Sequence, residues 1–381
     1  METVYNVGFE VSMPPNGYHI TGETKLISQR QQGLSAEPFN RDVIVLSKYQ
    51  GLNGPHAINT RTIPFLNQEQ LFAVASKMAN NGVIDLLSLT DSWPLESYAL
   101  PGFLADLPIP VIWEVATMDF FGKNFTPHKL SVGHLVDQFV TVSKAIATQM
   151  YDAGIDPAKI EIIHPPVDTD LFYPADQETK RGLRQKLGIR KELPVGIYAG
   201  RFNSQKGIDF AIRSWPRVSD VGGQLLLLGS AVLAERAKYE QLINEHRNVI
   251  SPGFIASDAA KAEYFRAADY FIIPSHSEGL SIAMLEAMAC GLPVVASAEA
   301  VYNSGLGEAF IEDVTGVTFP YYSTQELKHA VSIAISKKGF YGRKGREFIE
   351  TYQYDLKSTL SRLDALYSNL VNGSPYSVAL G

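Results

Sequence analysis

Two glutamates, Glu278 and Glu286, and two cations, Arg201 and Lys206, are the side chains of this 381-residue chain whose types and spacing best suit chemistry. Glu278 lies in a polar loop, Ser275 to Gly279, which follows an apolar run ending at Pro274. Ser281 suits the N-cap of a run of good helix formers from Ile282 to Cys290, and Glu286 falls inside that helix. The glutamates are eight positions apart, or roughly 12 Å along a helix axis at about 1.5 Å per residue. Carboxylates so far apart neither share a proton nor flank one breaking bond. They can hold two ends of one elongated, hydroxyl-rich ligand. Between them, the unused N–H groups of Gly279, Leu280 and Ser281 and the positive end of the helix suit an anion such as a diphosphate. Sugar at one end, diphosphate in the middle and ribose at the other is the outline of a nucleotide sugar.

Those residues need elements to position them. The apolar run before Pro274, the helix, and Val294-Val295-Ala296 form a strand–loop–helix–strand unit of a parallel sheet, with Gly291 and Pro293 stopping the helix. Arg201 and Lys206 occupy a second loop of the same kind, Gly200 to Gly207, between a strand at Leu193 to Ala199 and a helix opening at Ile208. Their charges are suited to neutralising a departing diphosphate.

The first half repeats the alternation. Strands are expected at Val4 to Val11, Asp42 to Ser47, Val83 to Ser88, Val111 to Val115, Gln138 to Val142 and Lys159 to His164. Helices are expected at about Glu23 to Leu34, at Asn67 to Asn80, after Ser92-Trp-Pro94 and from Lys144. Such a pace means a doubly wound sheet. The loop Ser12 to Glu23 follows the first strand, which is where open parallel sheets bind ligands, and His19 is its histidine. At the end of a later strand, Trp113 offers a ring that suits a sugar face, and Glu114 an acceptor for hydroxyls.

The string Pro274-Ser275, Glu278-Gly279-Leu280-Ser281 and Glu286-Ala-Met-Ala-Cys-Gly-Leu-Pro-Val-Val295 resembles the donor-site signature of family 4 glycosyltransferases, which are retaining enzymes. Gly200-Arg201 with Lys206-Gly207 is similar to that family's leaving-group loop. The resemblance covers residues 140–370 well and the first 140 weakly. It implies an α/β chain of GT-B fold, two Rossmann-like doubly wound domains facing each other across a cleft. Residues 1–170 would form the acceptor-binding domain, rejoined by the last helix within 353–381, and 171–352 the donor-binding domain. It implies that Glu278 orients the hexose, Glu286 accepts from both ribose hydroxyls, and backbone groups at Phe254 and Ile255 meet the base. Gly22 would stand near the donor phosphates, although the Tyr18-His19-Ile20-Thr21 around it departs from the family pattern, as does Trp113-Glu114. The implied activity is hexosyl transfer from a nucleotide sugar, UDP-glucose first and GDP-mannose or UDP-N-acetylglucosamine next, to a glycan or lipid-linked acceptor in polysaccharide biosynthesis. No metal or other cofactor is called for; Asp168-Thr-Asp170 lies in the linker. The alternatives are a nucleotide-sugar binder without catalysis and a nucleotide-sugar epimerase on the same fold.

Composition agrees with these assignments. With 45% hydrophobic residues and 19% charged, the chain has material for large cores. The net charge is −7, and residues 1–175 carry 10 Lys+Arg against 18 Asp+Glu. So acidic a first half argues against nucleic acid as a partner. A single cysteine, Cys290, fits a reducing compartment, and no apolar run reaches transmembrane length. The expected location is cytoplasmic, with peripheral membrane association allowed and a transmembrane span excluded.

Overall fold

The computed structural model describes residue 34 and residues 43–47, 60–64, 68–90, 100–115 and 132–373. His19, Gly22 and the expected first strand lie outside the described residues. Two compact units divide the described chain: one runs up to residue 164 and takes back 357–373, the other spans 165–356.

In the first unit, β1 (Val43–Ser47) and β2 (Thr60–Pro64) pair in parallel, and α1 (Gln68–Asn80) follows. A second sheet has the order β3 (Leu87–Thr90), β4 (Val111–Val115), β5 (Gln138–Thr141), β6 (Ile160–Ile162), all parallel. Helix α2 (Leu100–Ala105) precedes β4, and α3 (Lys144–Asp152) starts on Ser143, whose hydroxyl caps the Ile146 N–H. The final helix, Leu356–Val371, returns to this unit. Arg362 donates to Glu161 at 2.8 Å and to the Ile162 carbonyl, and Tyr367 Oη donates to Glu114.

The expectation for Trp113 and Glu114 is corrected here. Trp113 is wholly buried, so its ring offers no face to a sugar. Glu114 is buried as well, accepting from Ser88 Oγ and Tyr367 Oη at 3.1 Å each. β4 is buried at all five positions, because strands lie on both of its edges and the sheet face it presents is covered. The carboxylate fastens the returning helix to the sheet.

The second unit is a six-stranded parallel sheet in the order β12-β11-β10-β7-β8-β9. In chain order it comprises α4 (Gln177–Lys186), β7 (Val195–Ala199), α5 (Ile208–Gly222), β8 (Gln224–Leu228), α6 (Leu233–Asn244), β9 (Val249–Gly253), α7 (Asp258–Ala267), β10 (Tyr270–Ile273), α8 (Ile282–Ala289), β11 (Val294–Ser297), α9 (Ala298–Tyr302), β12 (Gly316–Phe319), α10 (Thr324–Ser336) and α11 (Lys338–Thr351). Gln-Leu-Leu-Leu-Leu of β8 is entirely buried, and each leucine stabilises the fold by about 1.5–3 kcal/mol. Winding starts at β7, runs out to β9, then crosses to β10 and runs the other way. The order therefore reverses between β7 and β10, and the loops leaving those two strands flank the point where ligands enter such sheets.

β12 went unread in the sequence because it is four residues long and opens on glycine. A Cβ on Gly316 would lie 2.0 Å from the Val294 carbonyl oxygen, so only glycine lets this edge strand close on β11. Also at the strand starts of this sheet, Asp269 gathers Arg184 at 2.5 Å, Lys180 at 3.2 Å and the Val195 N–H. No helix among the described residues is long and apolar enough to cross a membrane.

Candidate functional site

The loop after β7 is shaped by its own side chains. Asn203 Oδ1 caps the Lys206 N–H at 3.0 Å, making a single 3-10 turn from Ser204 to Lys206. Gly207 then turns the chain at φ 62°, and a Cβ there would sit 1.8 Å from the Pro274 carbonyl oxygen. That contact locks the loops after β7 and β10 together. Gly207→Ala is expected to destabilise the protein by at least about 1–2 kcal/mol from the left-handed backbone alone. Chemical denaturation measures it.

The turn directs Lys206 at the second loop. Its Nζ donates to Glu278 Oε2 at 2.6 Å, while Ser275 Oγ donates to Oε1 at 2.7 Å. Both side chains of the ion pair are largely buried. The backbone of Glu278 is held too: its N–H donates to Ser304 Oγ and its carbonyl accepts from Gly305 N, both at 3.0 Å. Ser297 Oγ, at the end of β11, donates to the Ser275 carbonyl. Glu278 is thus fixed from four directions. Two of its lone-pair positions are used, which leaves acceptor capacity for hydroxyls. Arg201 stands exposed at the start of the first loop, where Tyr198 Oη donates to its carbonyl at 2.7 Å.

Helix α8 begins as its sequence predicts, with Ser281 Oγ capping the Met284 N–H. Among the described residues, the N–H groups of Gly279, Leu280 and Ser281 find no acceptor. They precede the positive end of the helix and form a row of donors fit for phosphate oxygens. Glu286 lies on the second turn, buried, with Lys261 of α7 at 2.5 Å from Oε2. Lys261 in turn lies over the rings of Phe172 and Phe265. Phe254 and Ile255 follow β9, with Phe254 37% exposed.

The fold therefore brings Arg201, Lys206, Glu278 and the amide row to the two loops at the winding reversal. Glu286 sits behind them on α8, and Phe254 and Ile255 stand beyond β8. Lys261 was missed from the sequence. Nothing local marks it, because its partner lies on another helix 25 positions on. Ser275 was quoted only as part of the string, and its hydroxyl orients Glu278. Cys290 plays no part in this chemistry; it is buried, and burial pushes its thiol up. Among the described residues no group of three or more His, Cys, Asp and Glu side chains is arranged to hold a metal ion.

Glu286→Ala is expected to take the carboxylate away from the largely buried Lys261, and breaking a buried pair typically costs about 3–5 kcal/mol. Glu286→Gln with Lys261→Met removes both charges and should recover most of that loss in urea denaturation.

The two parallel α/β units have the GT-B fold of the solved structures they resemble, and cations and open amides stand at the strand ends of the second. The model of the glycosyl transferases group 1 family matches residues 194–337. A D-inositol 3-phosphate glycosyltransferase of Mycobacteroides abscessus is 31% identical over 209 residues, 53% of this chain and 45% of that protein. Its counterpart in Kribbella flavida is 28% identical over 218 residues, 52% of this chain and 48% of that one. The chain thus spans about half the length of the curated relatives it matches. In three dimensions it is similar to Anabaena Alr3699/HepE, solved with UDP and glucose: TM-score 0.79, 19% identity, 96% of this chain and 100% of that one. Sucrose-phosphate synthase of Thermosynechococcus elongatus gives a TM-score of 0.76 at 21% identity, over 97% and 100%. At such identities the likeness is one of fold.

Proposed function

We propose that this chain is a retaining glycosyltransferase. It moves a hexose, glucose carried by UDP-glucose, to a glycan or lipid-linked acceptor in polysaccharide assembly, without a metal ion. The observation that carries this reading is the Lys206–Glu278 pair set against the open amides that lead into α8. Lys206 has three N–H donors and uses one on Glu278, so two remain for a diphosphate. Arg201 adds a second cation from the same loop. Together they stabilise charge that grows on the departing phosphate, which is where preorganised donors accelerate a reaction most.

Glu278, held by Lys206 and Ser275, accepts from hydroxyls of the donor sugar and keeps its ring in one orientation. Glu286 accepts from the ribose, and the backbone at Phe254 and Ile255 meets the base. No carboxylate among these is a nucleophile. The acceptor hydroxyl attacks on the face from which the diphosphate departs. The anomeric carbon–phosphate oxygen bond breaks, the new carbon–oxygen bond forms, and a donor phosphate oxygen takes the acceptor proton. UDP-glucose stands first because Alr3699/HepE was solved with it.

Incubation with UDP-glucose, GDP-mannose or UDP-N-acetylglucosamine in the presence of EDTA and without acceptor tests the reading. Slow hydrolysis of UDP-glucose with α-glucose as the first product, seen by proton NMR, is expected. β-Glucose first would refute retention. UDP binding with no hydrolysis of any donor would favour a binder without catalysis.

A further inference from the structure

Beside the two donor-side loops lies a cluster of aromatic side chains that none of these steps uses. Tyr321 and Tyr322 occupy the turn between β12 and α10. The Tyr321 ring centroid lies 3.9 Å from that of His276 and 4.1 Å from that of Tyr322. Tyr322 stands edge-on to Phe210 at 5.7 Å. The cluster is continuous with the candidate site. A Cβ on Gly207 would strike the Tyr321 ring at 2.8 Å, and the His276 N–H donates to the Gln205 carbonyl at 2.9 Å.

Tyr322 is 68% exposed, the most exposed large hydrophobic side chain among the described residues. It is held at φ 63°, a conformation that a bulky side chain rarely adopts. A carboxylate lies beside the rings. Glu299 accepts from the Tyr321 N–H with both oxygens, at 3.3 and 3.0 Å.

Open aromatic faces flanked by acceptors match the two surfaces of a sugar ring: C–H bonds that pack on π clouds, and hydroxyls that donate to carboxylates. We propose that Tyr322, bedded on Tyr321 and His276, is a stacking platform for a pyranose ring of the acceptor glycan, one or more units away from the reacting hydroxyl. The identification of the glycan as acceptor rests on the glycosyltransferase reading; the platform itself is a carbohydrate-binding surface and is tested as one.

The probes are cellohexaose, maltohexaose and chitohexaose, titrated against the full chain by calorimetry and saturation-transfer NMR, with and without UDP. Tyr322→Asn removes the ring with a residue that tolerates the left-handed backbone, and Tyr322→Trp keeps an aromatic face. At least one hexasaccharide is expected to bind without UDP. Tyr322→Asn should weaken it about fivefold or more, the effect of losing one stacked ring. Tyr322→Trp should retain binding, and the UDP affinity should not move in either variant. Failure of all three sugars to bind up to their solubility would overturn the platform. So would equal binding by Tyr322→Asn, displacement of the sugar by choline, or a self-association lost in Tyr322→Asn on sedimentation. Sugar binding without UDP binding would leave the platform standing and sink the transferase reading; UDP binding without sugar binding would do the reverse.

Discussion

Lys206→Ala is expected to lower turnover by about 10²–10³-fold, the effect of losing one donor aimed at developing charge. The leaving phosphate gains negative charge only as the glycosidic bond breaks, so the loss should fall mainly on kcat and less on donor KM. The same substitution leaves the largely buried Glu278 with Ser275 as its remaining side-chain partner. Arg201→Ala isolates the charge effect, because Arg201 is exposed and contributes no such clamp. It should also slow the reaction while leaving the unfolding midpoint in place. Steady-state rates of UDP-glucose hydrolysis measure both. Near-native turnover in either variant would remove that residue from the leaving-group role.

Asp269→Asn should destabilise the fold by about 3–5 kcal/mol, the usual result of removing one partner from a buried charge cluster. Arg184 and Lys180 would keep their bonds to the carbonyls of Ala267 and Ala268 but lose the carboxylate that balances them. Burial raises the Asp269 carboxyl, but Lys180 and Arg184 outweigh burial and hold it below its ordinary value of 3.8. A depressed folded-state pKa gives stability that is present above the unfolded value and lost as pH falls through the folded one. Urea denaturation should therefore show the full gap between wild type and variant at pH 7, and a narrowing gap below about pH 4. A gap that persists unchanged in acid would mean that Asn fails there for packing reasons, not charge.

Much of the second unit was legible because its signals are local. The Ser281 cap, the helix from Ile282, the strand at Val294 and the loop from Gly200 to Gly207 each follow from neighbouring residues, and each stands where it was read. Lys261 and the cations Arg184, Lys180 and Lys338 around Asp269 were not legible, because their partners come from other helices and strands. Trp113-Glu114 misled for a physical reason. An aromatic beside an acid looks the same in sequence whether it lines a site or fills a core, and only the pairing of β4 on both edges decides. Tyr321-Tyr322 passed unread between two elements, since an exposed turn has no periodicity to mark it.

The central claim is that a nucleoside diphosphate sits on the amides of residues 279–281, with Lys206 at its phosphates and Glu286 at its ribose. A calorimetric titration with UDP, in EDTA, of the wild type, Lys206→Ala and the Glu286→Gln/Lys261→Met pair addresses it most directly. The account predicts one site per chain without metal, weakened in both variants. Absence of binding unless a divalent ion is added, or equal affinity in all three proteins, would contradict it.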